Sequence, residues 1–283
     1  MRTRLALSSI GLSVVIVLLV LCYWYWTIDE IDAHPFKTLA TTTQEFAPSS
    51  RRRILIHFGN NCCKKARKRN CDSGVARGFD ECWSYRLSDI DTYFQQLHSD
   101  IFASSRGAGY WIWKPFVIYK TLLQLKDGDI LMYSDVATEF IAPLAPLFEL
   151  TETQDIVPFT TGIPEFLYTK RDSFVLMGLD DPKFSQSGQV LASFILFRRS
   201  IFSLNFVAEW LTYASDRRIL TDDSNVMNIS NYPDFKDHRH DQSVLSLLIK
   251  KWNIPTFPDP SQHGNGIPSR NHSQIIDHHR SKK

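Results

Sequence analysis

Twenty-two consecutive positions without a charge, Leu5 to Trp26 (LALSSIGLSVVIVLLVLCYWYW), constrain this chain more than any other feature. About 20 such residues cross a bilayer core as a helix, so the stretch is expected to span a membrane once. Arg2 and Arg4 precede it, whereas Asp29, Glu30 and Asp32 follow. The positive-inside rule then keeps residues 1–4 in the cytoplasm and puts everything beyond 26 outside or in a lumen. Tyr23, Trp24, Tyr25 and Trp26 suit the exit interface, where amphipathic rings sit among headgroups. A cleaved signal peptide is the competing reading, but the stretch is longer than such an apolar region and no small-x-small site follows it.

The rest of the chain must then fold as one body. Of 283 residues, 43% are hydrophobic and 13% aromatic, enough for a substantial core. Lys and Arg total 32 against 30 Asp and Glu, a balance that gives no reason to expect a nucleic-acid partner. The runs RRR at Arg51 and KKARKR at Lys64 read as a solvated surface or as an attraction for anionic partners. Residues 27–50 are rich in Thr, Ser and Pro without apolar periodicity and read as a stem. Four cysteines beyond the apolar stretch, Cys62, Cys63, Cys71 and Cys82, would meet an oxidising compartment. Adjacent cysteines seldom bridge each other, so Cys62 and Cys63 are each expected to pair with Cys71 or Cys82, in an order left open. The spacing C-C-x7-C-x10-C fits no usual zinc pattern. Asn228 and Asn271 head glycosylation sequons that matter only in a lumen.

From Arg51 onward the pattern alternates. Ile54 to Phe58 is a short apolar strand ending at Gly59, Asn60 and Asn61, and NCCKKARKRNC is expected to be a loop. Ile90, Tyr93, Phe94, Leu97 and Ile101 predict one amphipathic helix over Ser88 to Ser104, with Ser88 as its cap. Pro115 opens another, whose apolar face would hold Phe116, Ile118, Tyr119, Leu122, Leu123 and Leu125 until Gly128 ends it. Ile130 to Tyr133 is a buried strand, further strands start at Asp155 and Val190, and helices cover Ser200–Ser215 and Asp241–Trp252. Such alternation predicts a single α/β domain over 51–265 with a mostly parallel sheet, and a polar C-terminal tail over 266–283. Ligands of open sheets bind beyond the carboxyl ends of the strands, which puts Asp135 on the binding rim.

Four segments in order, GYWIWKP, GDILMYSDVA, YTKRDSFVLMG and HRHDQSVLSLL, resemble a Golgi-type glycosyltransferase of the nucleotide-diphospho-sugar transferase superfamily. The resemblance extends over about residues 52–265 and implies the Rossmann-related GT-A fold. It also implies a nucleotide-sugar donor, here expected to be a UDP-sugar, and a hydroxyl of a glycan, glycoprotein or glycolipid as acceptor. The setting would be a single-pass type II protein of the Golgi or ER membrane. Whether such an enzyme would invert or retain configuration stays open.

Members of this superfamily usually hold Mn²⁺ or Mg²⁺ with an Asp-x-Asp motif that neutralises the departing diphosphate. Here the motif reads Asp135-Val136-Ala137, without the second carboxylate. Either Asp135 holds the ion with waters and a distant ligand such as His263, or cationic side chains replace the metal. Asn60, Lys114 and Arg171 are the other donor-side candidates. His240, Asp241 and Gln242 are placed on the acceptor side, with Asp241 as general base by resemblance. Each has a bland counterpart: Lys114 a solvated lysine, Arg171 a salt-bridged face, Asp241 or Asp237 a helix cap, His263 a surface histidine, and Trp111 and Trp113 core packing. TDDSN, Thr221 to Asn225, reads as an acidic loop near the acceptor. The alternative function, suggested by Ala137, is a catalytically silent luminal binding or scaffold protein. No GxGxxG, P-loop or HExxH motif is present, against hydride transfer, P-loop phosphoryl transfer and zinc proteolysis.

Overall fold

The computed structural model describes residues 51–59, 63–267 and 269–279, all within one compact unit, Ser50–Lys283. The apolar stretch Leu5–Trp26 and the stem lie outside the described residues, as do Asn60 and Cys62. Among the described residues no helix is long and apolar enough to cross a membrane.

Among the described residues ten strands run in chain order: β1 Arg53–Phe58, β2 Glu81–Tyr85, β3 Ile130–Ser134, β4 Thr138–Phe140, β5 Ile156–Val157, β6 Phe159–Pro164, β7 Gly188–Val190, β8 Phe194–Arg198, β9 Phe257–Pro258 and β10 Ile276–His278. Four helices reach ten residues or more among those described: α1 Lys64–Arg77, α2 Trp113–Leu122, α3 Ile201–Ala214 and α4 Asp241–Lys251. The main sheet has five strands in the order β2-β1-β3-β8-β5. β1 pairs in parallel with β2 and β3, while β8 runs antiparallel to both β3 and β5. Four strands thus share one direction, and only β8 departs from the expected parallel order.

Both faces of this sheet are covered, so its central strands β3 and β8 carry near-continuous apolar runs, ILMY and FILF, rather than alternating ones. Successive side chains still go to opposite sides, and the core divides accordingly. Ile54, Ile56, Leu131, Tyr133, Ile195 and Phe197 join Val117, Ile118 and Leu122 of α2, Phe206, Val207 and Trp210 of α3, and Val244, Leu245 and Leu248 of α4. Leu55, Ile130, Met132, Phe194 and Leu196 pack on the other side with Phe79, Phe140, Leu147 and Ile276. Burying each such side chain stabilises the fold by about 1.5–3 kcal/mol.

Several local expectations need correction. The basic cysteine segment is helix α1, which turns Ala66, Asn70 and Gly74 inward at every fourth position and leaves its charges outside. Its pattern of apolar spacing is nearly empty because the buried positions are small or polar. A Cβ on Gly74 would come within 2.5 Å of Leu55, so the close approach of α1 to the sheet requires glycine there. Cys71 on α1 is bridged to Cys82 on β2, which overturns the pairing of Cys62 and Cys63 with those two residues. The two Cα atoms are 5.5 Å apart because α1 packs alongside the edge strand.

The helix expected from Ser88 to Ser104 is broken into a 3-10 turn, Leu87–Asp89, and two short helices, Thr92–Leu97 and Ser99–Phe102. Asp91, not Ser88, caps the first of these by accepting from the Phe94 N–H. Tyr93 and Leu97 are exposed, and so is Leu123 at the end of α2. DIVPFT divides at Pro158 into β5 and β6, which belong to different sheets. The polar tail is also no tail: β10 pairs antiparallel with β4, and Ile275 and Ile276 are buried.

Candidate functional site

The site begins where β3 ends. Ser134 is buried, the Asp135 N–H donates to the Ser193 carbonyl, and the Asp135 side chain turns into a cavity of about 270 Å³. The same cavity is lined by Arg106, Trp111, Lys114, Ala192, Ser193 and the run Asp237 to Gln242. It opens at the carboxyl end of the central strand β3, as a sheet of this kind requires.

Lys114, one residue into α2, is only 3% exposed. Its ammonium donates to the Ala192 carbonyl at 3.0 Å, lies 2.7 Å from Asp241 Oδ2 and 3.7 Å from Asp135 Oδ1. It is therefore neither a solvated lysine nor a surface cation. Burial alone would favour its neutral form, but Asp241 and Asp135 outweigh that and hold its pKa above the ordinary lysine value. Asp241 is 4% exposed, and burial pushes its carboxyl up to about 6 against the pull of Lys114. Asp135 Oδ1 also accepts from the Tyr133 hydroxyl at 2.6 Å, and the Tyr133 phenol is raised well above its usual range, first by burial and then by Asp135. Two carboxylates thus bracket one ammonium.

The expectation that Asp241 caps its helix does not hold, since the Asp241 carboxylate goes to Lys114 and the N-cap residue is His240, with no side-chain cap bond. Asp237 pairs with Arg106, which also reaches Asp222 of the TDDSN loop at 3.2 Å. His240 has a left-handed φ of 50°. Its Nδ1–H donates to the Leu220 carbonyl, so Nε2 carries the lone pair; that atom is buried without a hydrogen bond, 3.6 Å from Asp222. His238 donates through Nε2 to the Ile219 carbonyl and accepts the Lys170 N–H at Nδ1. Burial lowers the pKa of both rings and favours their neutral forms.

Gln242 is held at both ends. Its Oε1 accepts from the Ala192 N–H, and its Nε2 donates to Gln189 Oε1. Gln189 also accepts from Arg239 and donates to Glu165, whose other oxygen is taken by Ser246 and Lys250. Sequence reasoning missed this buried network, together with Arg106 and Tyr133. Tyr133 alone carried a signal, two residues before Asp135 on a strand, where side chains share a face.

The two tryptophans part company. Trp113 is buried and stacks on Phe58 at 3.8 Å between ring centres, as packing predicted. Trp111 lines the cavity and stacks near His240, at 5.5 Å. It ends a turn in which five successive residues, Gly107 to Trp111, have φ between 51° and 95°. Non-glycine residues seldom adopt that conformation, and its cost is held here beside the site.

Other candidates fall elsewhere. Arg171 pairs with Asp180 at 2.6 Å, lies over the Tyr232 ring and does not line the cavity. His263 is exposed on the 3-10 turn Gln262–Gly264, also outside the cavity lining. Asn228 and Asn271 are both exposed.

The divalent ion implied by the resemblance does not fit these residues. Asp135 stands alone where a second carboxylate would be Ala137, and its Oδ1 is occupied by Tyr133 and faced by the Lys114 ammonium. A magnesium-type ion wants near-octahedral oxygen ligation, and a neighbouring buried cation repels it. Among the described residues the one cluster of three ligand-type side chains is His57, Cys71 and Cys82, and two of these form the disulfide.

The sequence matches no protein-family model and no curated protein. Among solved structures it is similar to the apo form of the bifunctional glycosyltransferase WbbM, at 9% identity and a TM-score of 0.49 over 82% of this chain and 46% of that one. It is similar as well to apo mouse xyloside xylosyltransferase 1, at 11% identity and a TM-score of 0.42 over 81% of this chain and 97% of that one. A third likeness is to the galactosyltransferase LgtC in complex with donor and acceptor sugar analogs, at 11% identity and a TM-score of 0.42 over 81% and 87%. The chain spans less than half the length of WbbM. What fold and cavity define by themselves is an α/β domain with a carboxylate–ammonium–carboxylate centre at the strand ends.

Proposed function

We propose that this protein is a glycosyltransferase that moves a sugar from a nucleoside-diphosphate sugar, in first place a UDP-sugar, to a hydroxyl of a glycan or glycoconjugate. The observation that carries this reading is Lys114 buried between Asp135 and Asp241 in one cavity. Asp241 supplies a carboxylate with a pKa of about 6, suited to take a proton near neutrality. Asp135 and Lys114, on the β3 side, orient the donor.

In the reaction the acceptor oxygen forms a bond to the anomeric carbon while the bond from that carbon to the diphosphate oxygen breaks. The bonding pair leaves with the nucleoside diphosphate, and the acceptor proton passes to the Asp241 carboxylate. Cationic donors facing the departing oxygen stabilise its new charge. Type II anchoring through Leu5–Trp26, a luminal domain in the Golgi or ER and glycans on Asn228 and Asn271 belong to the same proposal, supported by charge asymmetry and sequons.

The test screens the full-length chain in detergent micelles against UDP- and GDP-sugars with mixed glycan acceptors, reading nucleotide release. Release with one donor, lost in Asp135→Ala while circular dichroism is unchanged, is the expected result. Absence of release with every donor would favour the silent binding protein instead.

A further inference from the structure

We propose that the donor diphosphate meets the buried Lys114 ammonium rather than a divalent metal, so that transfer by this protein is metal-independent. The inference rests on the glycosyltransferase reading above and deepens it.

Three observations lead there. First, the position that would supply the second metal carboxylate is Ala137, and the carboxylate that does lie nearby, Asp241, is engaged by the Lys114 ammonium at 2.7 Å. Second, a cation already faces Asp135: the Lys114 ammonium is held from one side by Asp241 at 2.7 Å and from another by the Ala192 carbonyl at 3.0 Å. Third, the contact toward Asp135 is 3.7 Å, longer than a hydrogen bond, so of the ammonium's three N–H groups the one on the Asp135 side is the least committed, and Lys114 lines the cavity where a phosphate oxygen would compete for it.

A dication on Asp135 would stand within a few ångströms of this buried positive charge, in surroundings that screen poorly. Lys114 is only 3% exposed, so moving its ammonium aside would require repacking of the surrounding side chains. Its trio with the two aspartates carries a net negative charge, so a diphosphate must also draw on the other cations lining the cavity. Arg239 is placed for this, its guanidinium held by Gln189 Oε1 and the face of Tyr168 at 3.6 Å. Such prearranged donors stabilise the charge that develops on the leaving oxygen without reorganising when the bond breaks.

The experiment uses the full-length chain in detergent micelles, stripped with EDTA. Nucleotide release is measured in EDTA and then with Mn²⁺ or Mg²⁺, and UDP binding is measured by calorimetry in EDTA. Release in EDTA within about twofold of that with metal, with UDP still bound, is expected. Lys114→Met should lower release by about 100-fold or more and weaken UDP binding, whereas Lys114→Arg should keep part of both. If Lys114→Met does not fold, the wild-type comparison in EDTA decides alone. Release abolished by EDTA and restored by Mn²⁺ would overturn the inference and leave the transferase reading intact. No release with any donor, metal or not, would overturn both.

Discussion

Asp241 is the residue whose chemistry depends most on its surroundings. An exposed aspartate is ionised at any physiological pH, whereas this one, buried beside Lys114, reaches its midpoint at about 6. Base catalysis needs the ionised form, so the rate should climb as pH rises through about 6 and level off above it. Asp241→Asn removes the titration, so its kcat should fall by about 100-fold or more and the acid limb should vanish from the pH–rate profile. A limb that persisted in the variant would move the base elsewhere. At this scale the sequence was partly legible. Asp135, Lys114 and the run His240 to Gln242 could be named because each ends a strand or opens a helix, and the cavity does bring them together. Arg171 could be named on the same grounds yet is spent on Asp180, since a side chain's partner depends on what lies across the fold and not on its neighbours in the chain.

Elements succeed or fail as predictions according to how much of their burial is apolar. α3 and α4 match their expected bounds because their apolar spacing is sustained, and in α3 the cap agrees with it, Ser200 accepting from the Ser203 N–H. α1 was invisible, since its buried face is Ala66, Asn70 and Gly74. Asn70 faces inward to meet His57 and to donate to Ser134 and Thr138, a pattern with no apolar signature. The turn Gly107–Trp111 was equally unreadable, because left-handed Ala108, Tyr110 and Trp111 defy local preference. That turn yields a test. A Cβ on Gly107 would lie 2.3 Å from the Trp111 ring at a φ of 59°, so Gly107→Ala should lose about 1–3 kcal/mol in urea unfolding and displace Trp111. Unchanged stability together with unchanged Trp111 fluorescence would show that the turn relaxes freely.

For the molecule as a whole, the return of the chain after residue 274 matters most. Ile275 and Ile276 bury beside Phe140 in the second core layer, and β10 completes the sheet with β4, which directly follows Asp135 and Ala137. Removing residues 275–283 should therefore cost about 1.5–3 kcal/mol for each of these two side chains, seen as a lower urea midpoint and faster proteolysis. A truncated chain as stable as the full one would restore the view of this segment as a tail. What the sequence by itself determined is the alternation of apolar strands and helices, the carboxylate at the end of β3 and the polar opening of α4, because these follow from short-range periodicity and from where each apolar run begins and ends. Only tertiary structure decided that β8 runs antiparallel, that Cys71 bridges Cys82, and that Lys114 lies between Asp135 and Asp241. Each of those facts joins segments distant in the chain, and such contacts are chosen by packing and buried charge, which act on the folded whole and leave no local mark in the sequence.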